Sequence, residues 1–259
     1  MKKTLITLAL AATVASGSAM AWTANGTGGH VQLSGTLSQV VKVTPWEVKV
    51  GDAFTGLDTD IQKHQKEAKI RLAKAIPVLG IRTKESATFK GKVGVNPQID
   101  FGDAIDLNGF NAGVAILTLP IKGTDDAVLG SLTAPLFTAG AASMRKDDGS
   151  VNSAHLLSGS VSGMAFFGGI SKSGYQDANF EARALALWPD ITEHFDSQGL
   201  QIRTNASEMV FYDKESSYSG YYASGIESGK EISIALESPV QGDSPLQWNA
   251  SLPVTVIYL

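Results

Sequence analysis

Residues that could carry out catalysis are few and widely separated in this sequence. None of the four histidines has another at the i, i+4 spacing of a helical metal site, and each is better explained as a solvated or structural side chain: His30, His64, His155 and His194. Residues 158–163 do not match the G-x-S-x-G pattern of a nucleophile elbow. Residues 26–29 lack the flanking strand and helix of a phosphate loop. The sequence therefore predicts a protein that is not an enzyme and needs no metal ion or other cofactor.

A group of aromatic and charged side chains could instead bind a sugar. Sugar sites pair an aromatic face with a few planar polar side chains on exposed loops. Four residues in the middle of the chain are candidates for such a site: Tyr175, Arg183, Trp188 and Glu193. Tyr175 lies in the polar run 171–177 and is the better exposed candidate. The alternative for Trp188, as for Phe166 and Phe167, is that it packs this segment onto a sheet.

These candidates lie in a segment with helical rather than strand periodicity. Phe180, Ala184 and Leu187 recur at helical spacing, Asp177 is a plausible N-cap, and Pro189 ends the pattern. Because strand-like sequence resumes on both sides, we expect a helical insertion over about residues 152–195 within one β-rich domain.

The rest of the chain is dominated by short alternating segments bounded by glycine, asparagine or aspartate, and it contains 27 glycines. This pattern predicts a mainly β fold. The predicted strands are 40–50 (interrupted at Pro45), 66–76, 78–82, 87–95, 98–101, 112–121, 127–137, 201–212, 218–223 and 231–237.

The first residues have the features of a secretory leader. Lys2 and Lys3 precede an apolar run over residues 5–14, and Ala19 and Ala21 fit a small-x-small cleavage site. We expect a signal peptide at 1–21 and a mature, exported chain from Trp22. The formal charge of -4 argues against a nucleic-acid partner, which needs a basic surface. The chain has no cysteine, so its stability must come from packing and strand pairing.

One alternating stretch lies just after this leader, behind the flexible run 23–29. Alternate residues of this stretch, which point to one face of a strand, are apolar apart from a single glycine: Val31, Leu33, Gly35 and Leu37. A second alternating stretch occupies residues 252–259, where Val254, Val256 and Tyr258 share one parity. An apolar strand at the chain end leaves an open edge that can pair with another strand. We interpret the first stretch as a strand that is lent to a partner, and the last as the border of a groove that receives one. The alternative is that residues 31–37 form an ordinary first strand.

Several short motifs, taken in order along the chain, resemble chaperone–usher fimbrial subunits, and most closely the FaeG-like major subunits and adhesins of kappa-class enterobacterial fimbriae. The resemblance rests on Trp22, on the penultimate Tyr258 and on the following segments: 46–51 (WEVKVG), 79–85 (LGIRTKE), 97–101 (PQIDF), 119–122 (LPIK), 247–248 (QW) and 251–258 (SLPVTVIY).

The resemblance implies an incomplete immunoglobulin-like sandwich that lacks its C-terminal strand. In such proteins a periplasmic chaperone fills the groove first, and the N-terminal extension of the next subunit replaces it. The implied organisation is a donor-strand extension at 22–38 and a subunit domain at 39–259. Gly29 would occupy the first groove position, followed by Val31, Leu33, Gly35 and Leu37, with Val254, Val256 and Tyr258 beside the groove.

The function implied is a major fimbrial subunit at the cell surface that also binds host glycoconjugates. The implied partners are a chaperone, an outer-membrane usher, further copies of the chain and a host glycan. Two alternatives stay open: a minor or tip adhesin of the same system, and a free-standing secreted lectin.

Overall fold

The computed structural model describes residues 33–36, 43–242 and 244–259. Residues 33–36 are exposed and form no regular secondary structure. The expected leader, together with Gly29, Val31 and Leu37, lies outside the described residues. Residues from Val43 to Leu259 form a compact unit. Within the described residues, no helix has the length and apolar character to span a bilayer.

The described chain is mainly β, as predicted, with one α-helix, α1 (Phe180–Leu187), and one 3-10 turn (Gly102–Ala104). Its strands are β1 (Trp46–Val50), β2 (Glu67–Arg71), β3 (Ile76–Thr83), β4 (Phe89–Lys90), β5 (Pro97–Asp100), β6 (Val114–Lys122), β7 (Val128–Lys146), β8 (Asn152–Leu157), β9 (Arg203–Ser207), β10 (Ser216–Ile226), β11 (Glu231–Leu236) and β12 (Thr255–Tyr258).

The long strand β7 organises the large sheet. Its first half pairs with β6 and β11, and its second half pairs with β8 and β10. The sheet continues from β10 through β3 to β1, while β2 pairs with β11. A second sheet consists of β5 and β12 in antiparallel pairing. Side chains of both sheets meet in one apolar core, so the domain is a β-sandwich.

Aromatic rings fill one end of this core. Trp46 lies with its ring centroid 5.2 Å from Phe89, 5.6 Å from Phe166 and 5.2 Å from Phe211. Its indole N–H donates to the carbonyl of Val95 at 2.6 Å, which satisfies the only polar atom of the side chain. This cluster fixes the start of β1 against the interior.

The helix α1 packs on the opposite face of the sheet. Phe137, Ala139 and Ala141 of β7 point toward it and are fully buried. Small residues let the helix approach closely, because a Cβ added at Gly225 would lie 2.6 Å from Leu187 Cδ2. The sheet is therefore covered on both faces where α1 lies.

The predicted helical insertion needs a correction. Only Phe180–Leu187 is α-helical, and the start of the segment, Asn152–Leu157, is the strand β8. Strand β8 pairs with the part of β7 beyond Phe137, where β7 was predicted to end. Because residues 138–143 in that part of β7 are covered on both faces, they are small and buried and show no alternation. Likewise, the predicted strand 66–76 is divided into β2 and the start of β3.

Candidate strand-binding groove

The last twelve residues form an extended segment whose side chains alternate between half-buried and exposed. The half-buried members are all apolar and pack against the main core: Trp248, Ala250, Leu252, Val254, Val256 and Tyr258. Within the segment, β12 pairs with β5, which places Val256 opposite Ile99 and Tyr258 opposite Pro97. The structure therefore places Val254, Val256 and Tyr258 on the inward side of this segment.

Two strands border a gap in the sandwich. Among the described residues, β12 pairs only with β5, and β1 pairs only with β3. The side chains of Tyr258 and Thr44 are hydrogen-bonded, so the end of β12 lies beside the start of β1. Val50, at the other end of β1, lines the same cleft as Val254. The two strands thus run in opposite directions along the two sides of the gap.

Side chains on β1 show that the gap opens onto the interior. Val48 and Val50 share the parity of the buried Trp46, so they point to the core side of the sheet. Nevertheless, Val48 is 41% exposed and Val50 is 54% exposed. An inward-facing valine of a closed sandwich would be covered by the opposite sheet. Val48 and Val50 therefore lack cover from the opposite sheet.

The gap continues into a cleft of about 1190 Å³. Its floor is apolar and comes from β6, β7, β10 and β11: Leu119, Ile121, Leu132, Ile226, Ile232 and Ile234. Its walls are residues 50–61 and the segment that leads into β12. Residues 52–58 form no backbone–backbone hydrogen bond with any other described residue. An apolar floor beside unpaired backbone is the environment that binds an added β-strand.

Two of the predicted donor-strand residues can be placed. Leu33 is exposed, and a Cβ added at Gly35 would meet no atom within 4 Å. A larger side chain at position 35 would therefore not disturb the fold of the described chain. The assignment of Gly29, Val31, Leu33, Gly35 and Leu37 to a donor strand stays a prediction.

The receptor candidate Arg183 is held by two carboxylates. Its guanidinium donates to both carboxylate oxygens of Glu227 at 2.8 Å and to Asp177 at 2.8 Å. It also lies 3.8 Å from the ring centroid of Phe137. The hydrogen bonds to Glu227 and Asp177 raise the pKa of Arg183 despite partial burial. Asp177 was predicted to cap α1, but the N-cap is Asn179, and Asp177 binds Arg183 and the Asn179 N–H instead.

The aromatic candidates are less accessible than the sequence suggested. The Tyr175 hydroxyl is buried and hydrogen-bonds no other described residue, and this burial raises its pKa well above the ordinary value. Trp188 is buried between α1 and the sheet and donates to the carbonyl of Ser224 at 3.3 Å. Packing, the alternative given for Trp188, is thus its structural role.

Glu193 differs from the other three candidates because it is exposed. Its carboxylate accepts a hydrogen bond from Arg82 at 3.1 Å, and Arg82 also pairs with Glu47 and Asp190. The structure therefore gives Arg183 and Glu193 separate ion-pair partners.

The sequence did not reveal the floor of the cleft or the partners of Arg183. Ile121 and Ile232 follow ordinary strand alternation, which is the same for a closed core and for a groove. Glu227 lies in the bend between β10 and β11 and carries no motif. In the part of the chain that the structure describes, no three acidic or histidine side chains are grouped as metal ligands.

Comparisons with known proteins identify the family of this chain. A family model described as fimbrial, major and minor subunit, of K88 type, matches residues 1–259. The chain is 30% identical to K88 fimbrial protein AC over an alignment 288 positions long and 30% identical to K88 fimbrial protein AB over one 291 positions long, both of Escherichia coli. In both comparisons the alignment covers 100% of each chain.

Proposed function

This chain belongs to the K88-type family of major and minor fimbrial subunits and is a structural component of a cell-surface fimbria, and from that premise we propose that it polymerises by donor-strand exchange. The observation that supports the proposal is the cleft between β1 and β12, each of which has one partner strand among the described residues. In the proposed fibre, residues 22–38 of one copy fill the cleft of the next.

The donor strand would contribute apolar side chains and backbone hydrogen bonds. Burying Val31, Leu33 and Leu37 would stabilise the complex by about 5–9 kcal/mol, at roughly 1.5–3 kcal/mol for each side chain. Gly35 would lie over a part of the cleft floor with no room for a side chain. A donor strand of this kind also favours a subunit within the fibre over a dedicated tip adhesin. A subunit at the tip has no further subunit whose cleft its donor strand could fill.

Before assembly, the open cleft would expose apolar side chains and unpaired backbone, which is a risk of aggregation. We therefore assign two transient partners, a periplasmic chaperone that occupies the cleft and an outer-membrane usher at which subunits exchange.

Binding of a peptide tests the assembly proposal. A synthetic peptide of residues 22–38 should bind the refolded subunit and raise its melting temperature, since a ligand of the folded state stabilises it. A peptide with the same composition but with Val31, Leu33 and Leu37 moved to the opposite parity is the matched control. Equal binding of both peptides would contradict the proposal.

A second proposed function is adhesion to host glycans through the surface around α1. Receptor binding along a whole fibre needs a face that strand exchange leaves free, and α1 packs on the opposite side of the sheet from the main core. Many weak sites on one fibre can together give strong adhesion. Tyr175, Arg183, Trp188 and Glu193 stay the proposed receptor residues; Glu193 would contact the glycan directly, because it is the most accessible of them, and the buried Trp188 would support this surface from beneath.

Glu193→Gln tests the adhesion proposal with little structural disturbance, because Arg82 keeps Glu47 and Asp190. Glu181→Gln, at an exposed position of α1, is the matched control. We expect Glu193→Gln to reduce glycan adhesion about tenfold or more, with unchanged fibre length. Full adhesion by this variant would move the receptor site away from Glu193.

A further inference from the structure

A second pocket lies on the outer face of the small sheet, away from the strand-binding cleft. Val256 and Ile99 pack against the core, so the residues of the other parity, Ile257 of β12 and Asp100 of β5, point outward. Ile257 is 54% exposed although it is a large apolar side chain. The space above these two residues, which we call the outer pocket, has a volume of about 300 Å³. Small-molecule sites in proteins begin at roughly this size.

The wall of the outer pocket opposite β12 is an extended segment attached to the free side of β5. The Phe166 N–H donates to the carbonyl of Pro97 at 2.8 Å, and the Ile99 N–H donates to the carbonyl of Phe167 at 2.8 Å. Phe166 is buried in the aromatic core, whereas Phe167 is half-buried and lines the outer pocket. Packing is therefore the role of Phe166, while the ring of Phe167 is accessible to a ligand.

A buried amide fixes the rim of the pocket next to Phe167. The Gln98 Oε1 accepts a hydrogen bond from the Gly163 N–H at 2.8 Å, and its Nε2 donates to the carbonyl of Met164 at 2.8 Å. These two bonds hold the loop that carries Ser162, whose own hydroxyl lies 3.5 Å from Gln98 Oε1 and is exposed. A rim that is fixed before binding lowers the conformational cost of binding a ligand.

Polar and apolar groups alternate around the outer pocket. Asp100, Ser162 and Thr255 are exposed and line it together with Phe167 and Ile257. The Asp100 Oδ1 accepts a hydrogen bond from the Gly102 N–H at 2.7 Å, which leaves Oδ2 for a ligand. A carboxylate accepts hydrogen bonds, and the two hydroxyls both donate and accept them. This set complements the hydroxyl groups of a sugar, and the two apolar side chains complement the C–H face of its ring.

The charges near the outer pocket argue against an anionic ligand. Among the described residues, no lysine, arginine or histidine lines it. The loop after β5 adds Asp103 and Asp106 to the negative charge of Asp100. Lys172 reaches this loop, where its Nζ donates to the Asn108 Oδ1 at 2.9 Å. The excess of carboxylates disfavours sialylated or sulfated sugars, because like charges repel each other.

We infer that the outer pocket binds one uncharged sugar residue. Phe167 and Ile257 contact the ring of the sugar, while Asp100, Ser162 and Thr255 form hydrogen bonds with its hydroxyl groups. The site is separate from the surface around α1, because α1 covers the outer face of the large sheet and the outer pocket lies on that of the small sheet. The inference goes beyond the proposed adhesion through α1 and does not depend on it.

Strand exchange would leave the outer pocket open. A donor strand beside β12 extends the small sheet in its own plane, and its apolar side chains point to the core. The pocket extends from β12 across β5, away from the edge that receives the donor strand. Every subunit of the proposed fibre would therefore present one such pocket, and repetition of a weak site raises avidity.

Saturation-transfer nuclear magnetic resonance on the purified mature chain tests the outer pocket, because it detects weak sugar binding to single subunits and to assembled fibres. The probes are the methyl glycosides of glucose, galactose, mannose and N-acetylglucosamine, with the methyl glycoside of N-acetylneuraminic acid as the anionic comparison. We expect at least one uncharged glycoside to bind, and to bind more strongly than the anionic one. Absence of binding by all the uncharged probes, or stronger binding of the anionic one, would overturn the inference.

Two variants locate the binding. Asp100→Asn keeps an oxygen for the Gly102 N–H but removes the charge, and it should weaken binding about tenfold, because a hydrogen bond to a charged group is lost. Asp103→Asn is the matched control, since it makes the same change on the same loop without lining the pocket, and it should bind like wild type. Phe167→Leu keeps an apolar side chain but removes the ring, and it should weaken binding about fivefold or more.

Comparison with Glu193→Gln separates the outer pocket from the surface around α1. Weaker binding by Asp100→Asn than by Asp103→Asn supports the outer pocket, whatever the effect of Glu193→Gln. Equal binding by the two aspartate variants overturns it. Loss of binding in Glu193→Gln alone would assign these sugars to the surface around α1 and leave that proposal standing. Retained binding in Glu193→Gln together with loss in Asp100→Asn would count against the surface around α1 and not against the outer pocket.

Discussion

Replacing Arg183 by alanine should destabilise the domain, because this side chain connects α1 to the bend between β10 and β11. The change removes three hydrogen bonds of 2.8 Å, two to Glu227 and one to Asp177, as well as the contact with the Phe137 ring. It also leaves two carboxylates without their cation, although the Glu227 side chain is only 19% exposed and that of Asp177 only 11% exposed.

The magnitude follows from the burial of the partners. Removing one member of a buried ion pair costs about 3–5 kcal/mol. Arg183 itself is 24% exposed, so water screens part of the interaction and about 2–4 kcal/mol is a better expectation. For a domain of this size, each kcal/mol lowers the melting temperature by about 2–4 °C, which gives a decrease of about 4–16 °C.

Thermal unfolding of the purified mature chain, followed by circular dichroism, measures this decrease. Glu227→Gln should cost less, because Arg183 keeps Asp177, and the double variant should be less destabilised than the sum of the two single changes. If Arg183→Ala changes the melting temperature by less than about 1 °C, the structural role argued here for the Arg183 ion pairs is wrong.

Three further outcomes are expected. Gly35→Leu should leave the fold of the subunit intact, since a Cβ there meets no atom within 4 Å, but it should block fibre growth. Ser34→Leu, whose side chain points to the opposite face of the strand, should not block it. Long fibres from the Gly35 variant would contradict this. Gly225→Val should destabilise the domain by about 1–3 kcal/mol, because its Cβ would lie 2.6 Å from both the Ile76 carbonyl oxygen and Leu187 Cδ2, and a denaturant melt that matches wild type would exclude that overlap. Burial raises the pKa of Tyr221 and Tyr222, so the stability they contribute is present below pH about 10 and is lost as the pH rises above it; phenolate absorbance that titrates normally before unfolding would contradict this.

The sequence predicted the fold wherever one face of a strand meets water. Strands β6 and β11 were recognised because buried and exposed residues alternate along them. The second half of β7 was not recognised, because both of its faces are covered and the residues from Phe137 to Ser143 are all buried. Alternation reports a difference between two faces, and it is lost when both faces have the same environment.

The candidate site was predicted only in part, for a related reason. The parity of Val254, Val256 and Tyr258 could be read locally, and the structure reproduces it. The partners of Arg183 and the accessibility of Tyr175 depend on segments far apart in the chain, and no local pattern indicates them.

The charges on the strand edges distinguish an edge that is protected from one that is available for pairing. At β2, which ends the large sheet, Glu67, Lys69 and Arg71 are charged, and the Thr59 hydroxyl donates to the Lys69 carbonyl. Charged side chains and capped carbonyls discourage pairing of an edge with other chains. Residues 248–259 contain no charged side chain. A chain exposed to unspecific aggregation would be expected to protect both edges. Charged residues lie on β2 and, as Glu47 and Lys49, on β1 as well, so the uncharged segment 248–259 is the edge left available to a partner strand.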